Sequence, residues 1–184
     1  VVGWVGSATA YDKNNLQALK VSGDCIGCDL SGGDLSWLDL RGSELTDADL
    51  AGAVLSNTKL SGSRLIRADL SGTDLTKMDL TAIKAFFARF QGANLSGANL
   101  TGAALYGAIL VDADLSGSSI TGADLRYANL HRVDLSGRDL RDILLEGANL
   151  QSASIAGADL RGVNLSGVNL ANADVSGARL TGAD

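Results

Sequence analysis

The chain has 184 residues, no proline, two cysteines, a single histidine and a formal charge of −6. That length fits one domain with an ample apolar core. The acidity disfavours general nucleic-acid binding, and no apolar run approaches the length of a membrane span.

Residues 1–10, VVGWVGSATA, read as the tail of an apolar secretory segment ending at the small-residue site Ala8-Thr9-Ala10. The alternative is an ordinary apolar leader packed on the core. Tyr11 to Gly23 carries the one helical pattern: Asp12 is placed to cap it, Leu16 and Leu19 share a face with the stem of Lys20, and Gly23 ends it. Such a helix would lid the first turn of a stacked structure, whose end otherwise exposes apolar floor and unpaired backbone.

Cys25 and Cys28 fall at inward positions when the five-residue phase described below is counted back. A structural zinc site needs about four ligands, and two cysteines with the distant His131 do not supply them. A redox pair of the thioredoxin type wants a βαβ context, and none is predicted. A structural disulfide clasping the lid to the first coil is the favoured reading, and it fits an oxidising compartment.

From Leu30 to Leu180 an aliphatic residue stands at every fifth position, and only Ala85 and Phe90 depart from Leu, Ile or Val. QGANLSGANLTGAAL, residues 91–105, shows the unit most clearly. A period of five matches neither helix nor strand, so it marks a repeat architecture. In each unit the central Leu fills the interior, and the small residue two before it lets neighbouring walls approach. The Asp or Asn just before it bonds local backbone, and Gly permits the positive φ of a tight corner.

The A-(D/N)-L-(S/T)-G pattern from Cys25 through Asp184 resembles the pentapeptide-repeat family. The resemblance implies an all-β fold, a right-handed, four-sided parallel β-helix with one repeat per side. It divides the chain into a leader (1–10), a short N-terminal capping helix (11–23) and a β-helix (24–184). About eight coils of 20 residues would make a rod roughly 38 Å long. The helix followed by DCIGCDL is also similar to members exported by photosynthetic bacteria to the thylakoid lumen or periplasm.

At Thr81 to Gln91 the repeat is degenerate but in phase, and the adjacent centres Ala85 and Phe90 compensate in volume. The pattern runs to Leu180-Thr-Gly-Ala-Asp with no capping helix, which leaves two expectations: a truncated chain, or end-to-end self-association of two copies.

No catalytic constellation emerges, so an enzyme is not expected, and no cofactor or metal is implied. His131 follows Leu130 at an outward position and reads as a solvated imidazole. Asp34, Asp74, Asp114, Asp134 and Asp174 fall on one side of a 20-residue coil. A calcium ladder is the functional reading and local backbone bonding the structural one, with the nonapeptide of calcium-binding β-rolls missing.

Folding the chain at 20 residues also brings Arg64, Ile66 and Arg67, then Lys84, Phe86 and Phe87, then Tyr106, then Arg126 and Tyr127 to one side in successive coils. A self-stacking ladder that only stabilises the rod is one reading. The other is a partner-binding face, because aromatic and Arg residues supply much interface energy. The leading expectation is thus a non-enzymatic scaffold or interaction module of an exported compartment, its protein partner unknown. The alternative, also from the family, is a DNA-mimicking gyrase inhibitor.

Overall fold

The computed structural model describes residues 11–184, so the leader at 1–10 lies outside the described residues. Helix α1, Lys13–Ser22, begins where Asp12 accepts a 2.8 Å hydrogen bond from the Asn14 N–H. It ends at Gly23, which has a φ of 79° and donates to the Leu19 carbonyl. Leu16 and Leu19 are buried in the core beside Cys25, while Lys20 stays exposed. The Asp12 N–H also bonds the Asp29 carbonyl, which fastens the helix to the first coil.

Beyond Gly23 the backbone pairs in parallel with itself at a spacing of 20 residues. Asp29 pairs with Asp49, Asp34 with Val54, Asp39 with Lys59 and Glu44 with Arg64, one bridge on each of four sides. Every bridge falls on the residue before a centre. The centre itself points inward: Leu30, Leu35, Leu50, Leu70, Leu95 and Leu130 have no exposed surface. Burying each Leu contributes about 1.5–3 kcal/mol, and one coil supplies only the floor on which the next is packed. Ala85 and Phe90 are likewise fully buried at their adjacent centres.

Corners follow from the same register. The N–H three residues after a centre bonds the centre's carbonyl, as Gly33 does to Leu30 at 2.9 Å, closing a four-residue turn. The third residue of that turn has positive φ, 64° at Gly32, which is the type II requirement. Asp at the bridge position accepts from the N–H two residues on: Asp34 from Ser36, Asp74 from Thr76, Asp114 from Ser116, Asp134 from Ser136 and Asp174 from Ser176, at 2.8–3.0 Å. The hydroxyls of these Ser and Thr residues first, with their N–H groups, bond the ionised form and hold Asp34, Asp74, Asp134 and Asp174 below their ordinary range; at Asp114 the N–H comes first. The Asp column is therefore engaged in its own corners, and no group of side chains among the described residues is arranged to hold a metal ion.

Two expectations are corrected. Cys25 and Cys28 do approach within bonding distance, with Cα atoms 5.5 Å apart. Both belong to the first coil, so a bond between them closes one corner and does not clasp α1 to the coil. Cys25 is buried, whereas Cys28 is only half-buried. His131 is half-buried too, and its Nδ1 lies 2.8 Å from the Gln151 carbonyl of the next coil. A carbonyl only accepts, so Nδ1 carries the proton, and the imidazole is a strut between coils.

The ladder is also interrupted. No backbone hydrogen bond joins Val54–Leu60 to Asp74–Asp79, or Leu115–Gly122 to Asp134–Asp139, although the same segments pair normally with the coils on their other sides. These two breaks carry a long side chain, Met78 or Arg138, two before a centre, but Ile83 and Ile143 hold the same place in coils that pair normally with the one before, and the Leu144–Asn164 bridge is missing beside the smaller Val163.

Candidate functional site

Two adjacent columns build the aromatic face. The position after the centre carries Ile66, Phe86, Tyr106 and Arg126 in successive coils; the corner beside it carries Arg67, Phe87, Gly107, Tyr127 and Gly147. Their register is set by the bridges Arg64↔Lys84, Lys84↔Ala104 and Ala104↔Asp124. The bonds Arg67 N–H to Phe86, Phe87 N–H to Tyr106 and Tyr127 N–H to Glu146, each 2.9 Å, hold it at the corner.

The rings interlock diagonally. Phe87 meets Tyr106 edge to face with centroids 5.6 Å apart, and Tyr106 meets Tyr127 at 5.2 Å. The Arg126 guanidinium stands 5.8 Å over the Tyr106 ring. Phe86 and Tyr106 are half-buried, but Phe87 and Tyr127 each keep 53% of their surface exposed. Both also hold positive φ, 58° and 57°, at a corner where Gly27, Gly107, Gly147 and Gly167 occupy other coils. A left-handed conformation costs a side chain-bearing residue roughly 1–2 kcal/mol.

All nine predicted residues share this side, yet their charge differs from the expectation. Arg126 binds Asp124 through two hydrogen bonds of 2.9 and 2.7 Å, which lowers the Asp124 carboxyl and raises the guanidinium. Arg67 binds Asp47 across one coil at 2.6 and 2.5 Å. Arg64 Nε stands 2.5 Å from Glu44 Oε2, a charge contact not aimed as a hydrogen bond. Only Lys84 of the four cations has no ion pair among the described residues. The face is thus aromatic and nearly neutral. Sequence reasoning missed the most exposed described aromatic, Trp37, which is 77% exposed on a different corner. Its place in the 20-residue count already separates it from Phe87 and Tyr127.

Comparison with known proteins agrees with the architecture. The model of pentapeptide repeats matches in eight copies over residues 48–83, 88–126, 128–167 and 148–184. The chain belongs to the pentapeptide-repeat family, and the parallel coils described above are its right-handed β-helix. No curated protein matches the chain by sequence. Among solved structures it is similar to HetL, a pentapeptide repeat protein involved in heterocyst differentiation regulation from the cyanobacterium Nostoc. That match has 29% identity, covers 82% of this chain and 81% of HetL, and gives a TM-score of 0.38. It is also similar to Rfr23 of the cyanobacterium Cyanothece, at 26% identity over 91% of this chain and 93% of that one, TM-score 0.34. A pentapeptide repeat protein of the Arabidopsis thaliana thylakoid lumen matches at 31% identity over 63% of both chains, TM-score 0.21. No helix among the described residues is long and apolar enough to cross a membrane.

Proposed function

We propose that this protein is a non-enzymatic protein-interaction module whose partner docks on the face formed by Ile66, Phe86, Phe87, Tyr106 and Tyr127, rimmed by Arg64, Arg67, Lys84 and Arg126. The observation that carries the reading is the exposure of Phe87 and Tyr127 at corners whose backbone favours glycine. Asp47 and Arg67 share the positive φ of this corner, so it is the half-exposed surface of the two rings that a stack serving only the rod would not need. With the arginines already paired, the partner is recognised mainly by aromatic contact, and Lys84 adds a single free cation.

The module works in an exported, oxidising compartment, the thylakoid lumen or the periplasm. The Cys25–Cys28 approach supports this, since such a bond persists where thiols are not kept reduced.

Affinity capture from a lumenal or periplasmic extract tests the face. The native protein should retain a partner that a Phe87→Ser, Tyr127→Ser variant with an unchanged far-ultraviolet spectrum and unbroken coil stack loses. Equal capture by both proteins, or none by either, would reduce the rings to a structural ladder.

A further inference from the structure

Along the aromatic corner the exposed rings lie over the backbone instead of standing away from it. Phe87 covers Gly107 and Tyr127 covers Gly147, so close that a Cβ on either glycine would come within 2.5 Å of the ring. Tyr106 fills the angle between them, its centroid 5.6 Å from that of Phe87 and 5.2 Å from that of Tyr127. The corner from Phe87 to Gly147 is therefore a paved apolar strip three coil spacings long, about 14 Å. Leu144, 50% exposed, stands on the same side of the rod at the level of Gly147.

Charge marks the two ends of this strip with opposite sign. Lys84 stands at the Phe87 end and Glu146 at the Gly147 end, and neither has an ion pair among the described residues. The bridges Lys84↔Ala104, Ala104↔Asp124 and Asp124↔Leu144 set the two levels three coils apart, about 14 Å, too far for Lys84 and Glu146 of one chain to meet. Between them Arg126 and Asp124 are closed on each other by two hydrogen bonds. Glu146 acts on Arg126 only at longer range, behind Asp124.

We infer that the partner of this face is a second copy of the chain, docked antiparallel about a two-fold axis that crosses the strip midway between Gly107 and Tyr127. The inference rests on the reading of the face as a docking surface and names its occupant. In a two-fold contact the same patch meets itself, so symmetry fixes which residues face each other. Reversal brings Lys84 of each copy to the level of Glu146 of the other, making two ion pairs from charges that a single copy leaves unpaired. It also lays the Lys84 stem over Leu144 of the second copy and sets paved corner against paved corner. A parallel pair would put Lys84 against Lys84 and Glu146 against Glu146, and like charges so placed repel. The strip is narrow for a permanent dimer, so the association is weak, with a Kd on the order of 10–100 μM.

The test is sedimentation velocity of the whole protein at concentrations up to about 0.5 mM, well above the expected Kd, followed by carbodiimide cross-linking, which joins an amine to a carboxylate already in contact. The native protein should form a dimer whose cross-linked species yields Lys84 joined to Glu146 by mass spectrometry. Lys84→Glu and Glu146→Lys should each weaken the dimer about tenfold or more, by setting like charges together. Both substitutions in one chain should restore it, which only the antiparallel arrangement allows. Phe87→Ser with Tyr127→Ser should abolish it. A protein monomeric throughout, a dimer indifferent to the charge reversals or to loss of the rings, or a double reversal that fails to rescue would overturn the inference. If a monomeric protein still captures an extract partner through the two rings, only the second copy is removed and the docking face stands; a monomer that captures nothing removes both.

Discussion

The ring of Tyr127 occupies the space where a Cβ on Gly147, one coil further along the same corner, would stand. Such a Cβ would lie 2.5 Å from Tyr127 Cε1, and the Phe87 ring sits over Gly107 in the same way. Each exposed ring is seated on a glycine, so corner glycine and aromatic residue form one unit.

Gly147→Ala should therefore destabilise the protein more than Gly137→Ala. Both glycines have a φ of 68°, but a Cβ on Gly137 meets nothing within 4 Å and pays only the left-handed cost of about 1–2 kcal/mol. Thermal melts of the two variants measure the difference. In a Tyr127→Ser background the two costs should become equal, and a difference that survived would separate the ring from the glycine.

Leu130→Asp should unfold the middle of the rod. Leu130 has no exposed surface, and an unpaired carboxylate there costs several kcal/mol. Ser116→Ala, at an exposed position whose N–H still bonds Asp114, should stay within about 0.5 kcal/mol. Denaturant melts of both variants check the inward assignment of the centres, and an unchanged midpoint for Leu130→Asp would contradict it.

Acid should loosen the corners. Hydrogen bonds from Arg41, Arg141 and Arg161 hold Asp39, Asp139 and Asp159 down to about 2, against an ordinary value of 3.8. A depressed carboxylate contributes stability that is complete above 3.8 and is lost as pH falls through about 2. Urea midpoints should thus be level near pH 5 and drop between pH 4 and 2. Added salt should shrink the part owed to these exposed pairs.

Reduction should lower stability by about 2 kcal/mol, the loop-entropy value for so short a loop. Mass spectrometry of the unreduced protein checks the bond itself: two free thiols would remove it, and with it the strongest support for an oxidising compartment.

Much of this was legible because a five-residue phase decides the direction of each side chain locally. Leu30, Leu95 and Leu130 inward, Asp34 and Asp114 bonded to their own corners, and α1 between Asp12 and Gly23 all depend on neighbours within a few residues. The common side of Phe87, Tyr106 and Tyr127 needed one thing more, the 20-residue coil, which resemblance to the family supplied.

Contacts one coil apart were not legible in this way. Whether Arg67 stays free or turns to Asp47, whether His131 faces water or Gln151, and whether Tyr127 has room beside Gly147 depend on side-chain reach across the stack. The break in the ladder between Val54–Leu60 and Asp74–Asp79 lies furthest from the sequence pattern. The phase is unbroken through Thr58 and Met78, and only the stacked coils show Leu55, Asn57 and Leu60 without backbone partners. Periodicity set which way each residue points; the packing of one coil on the next decided what it meets.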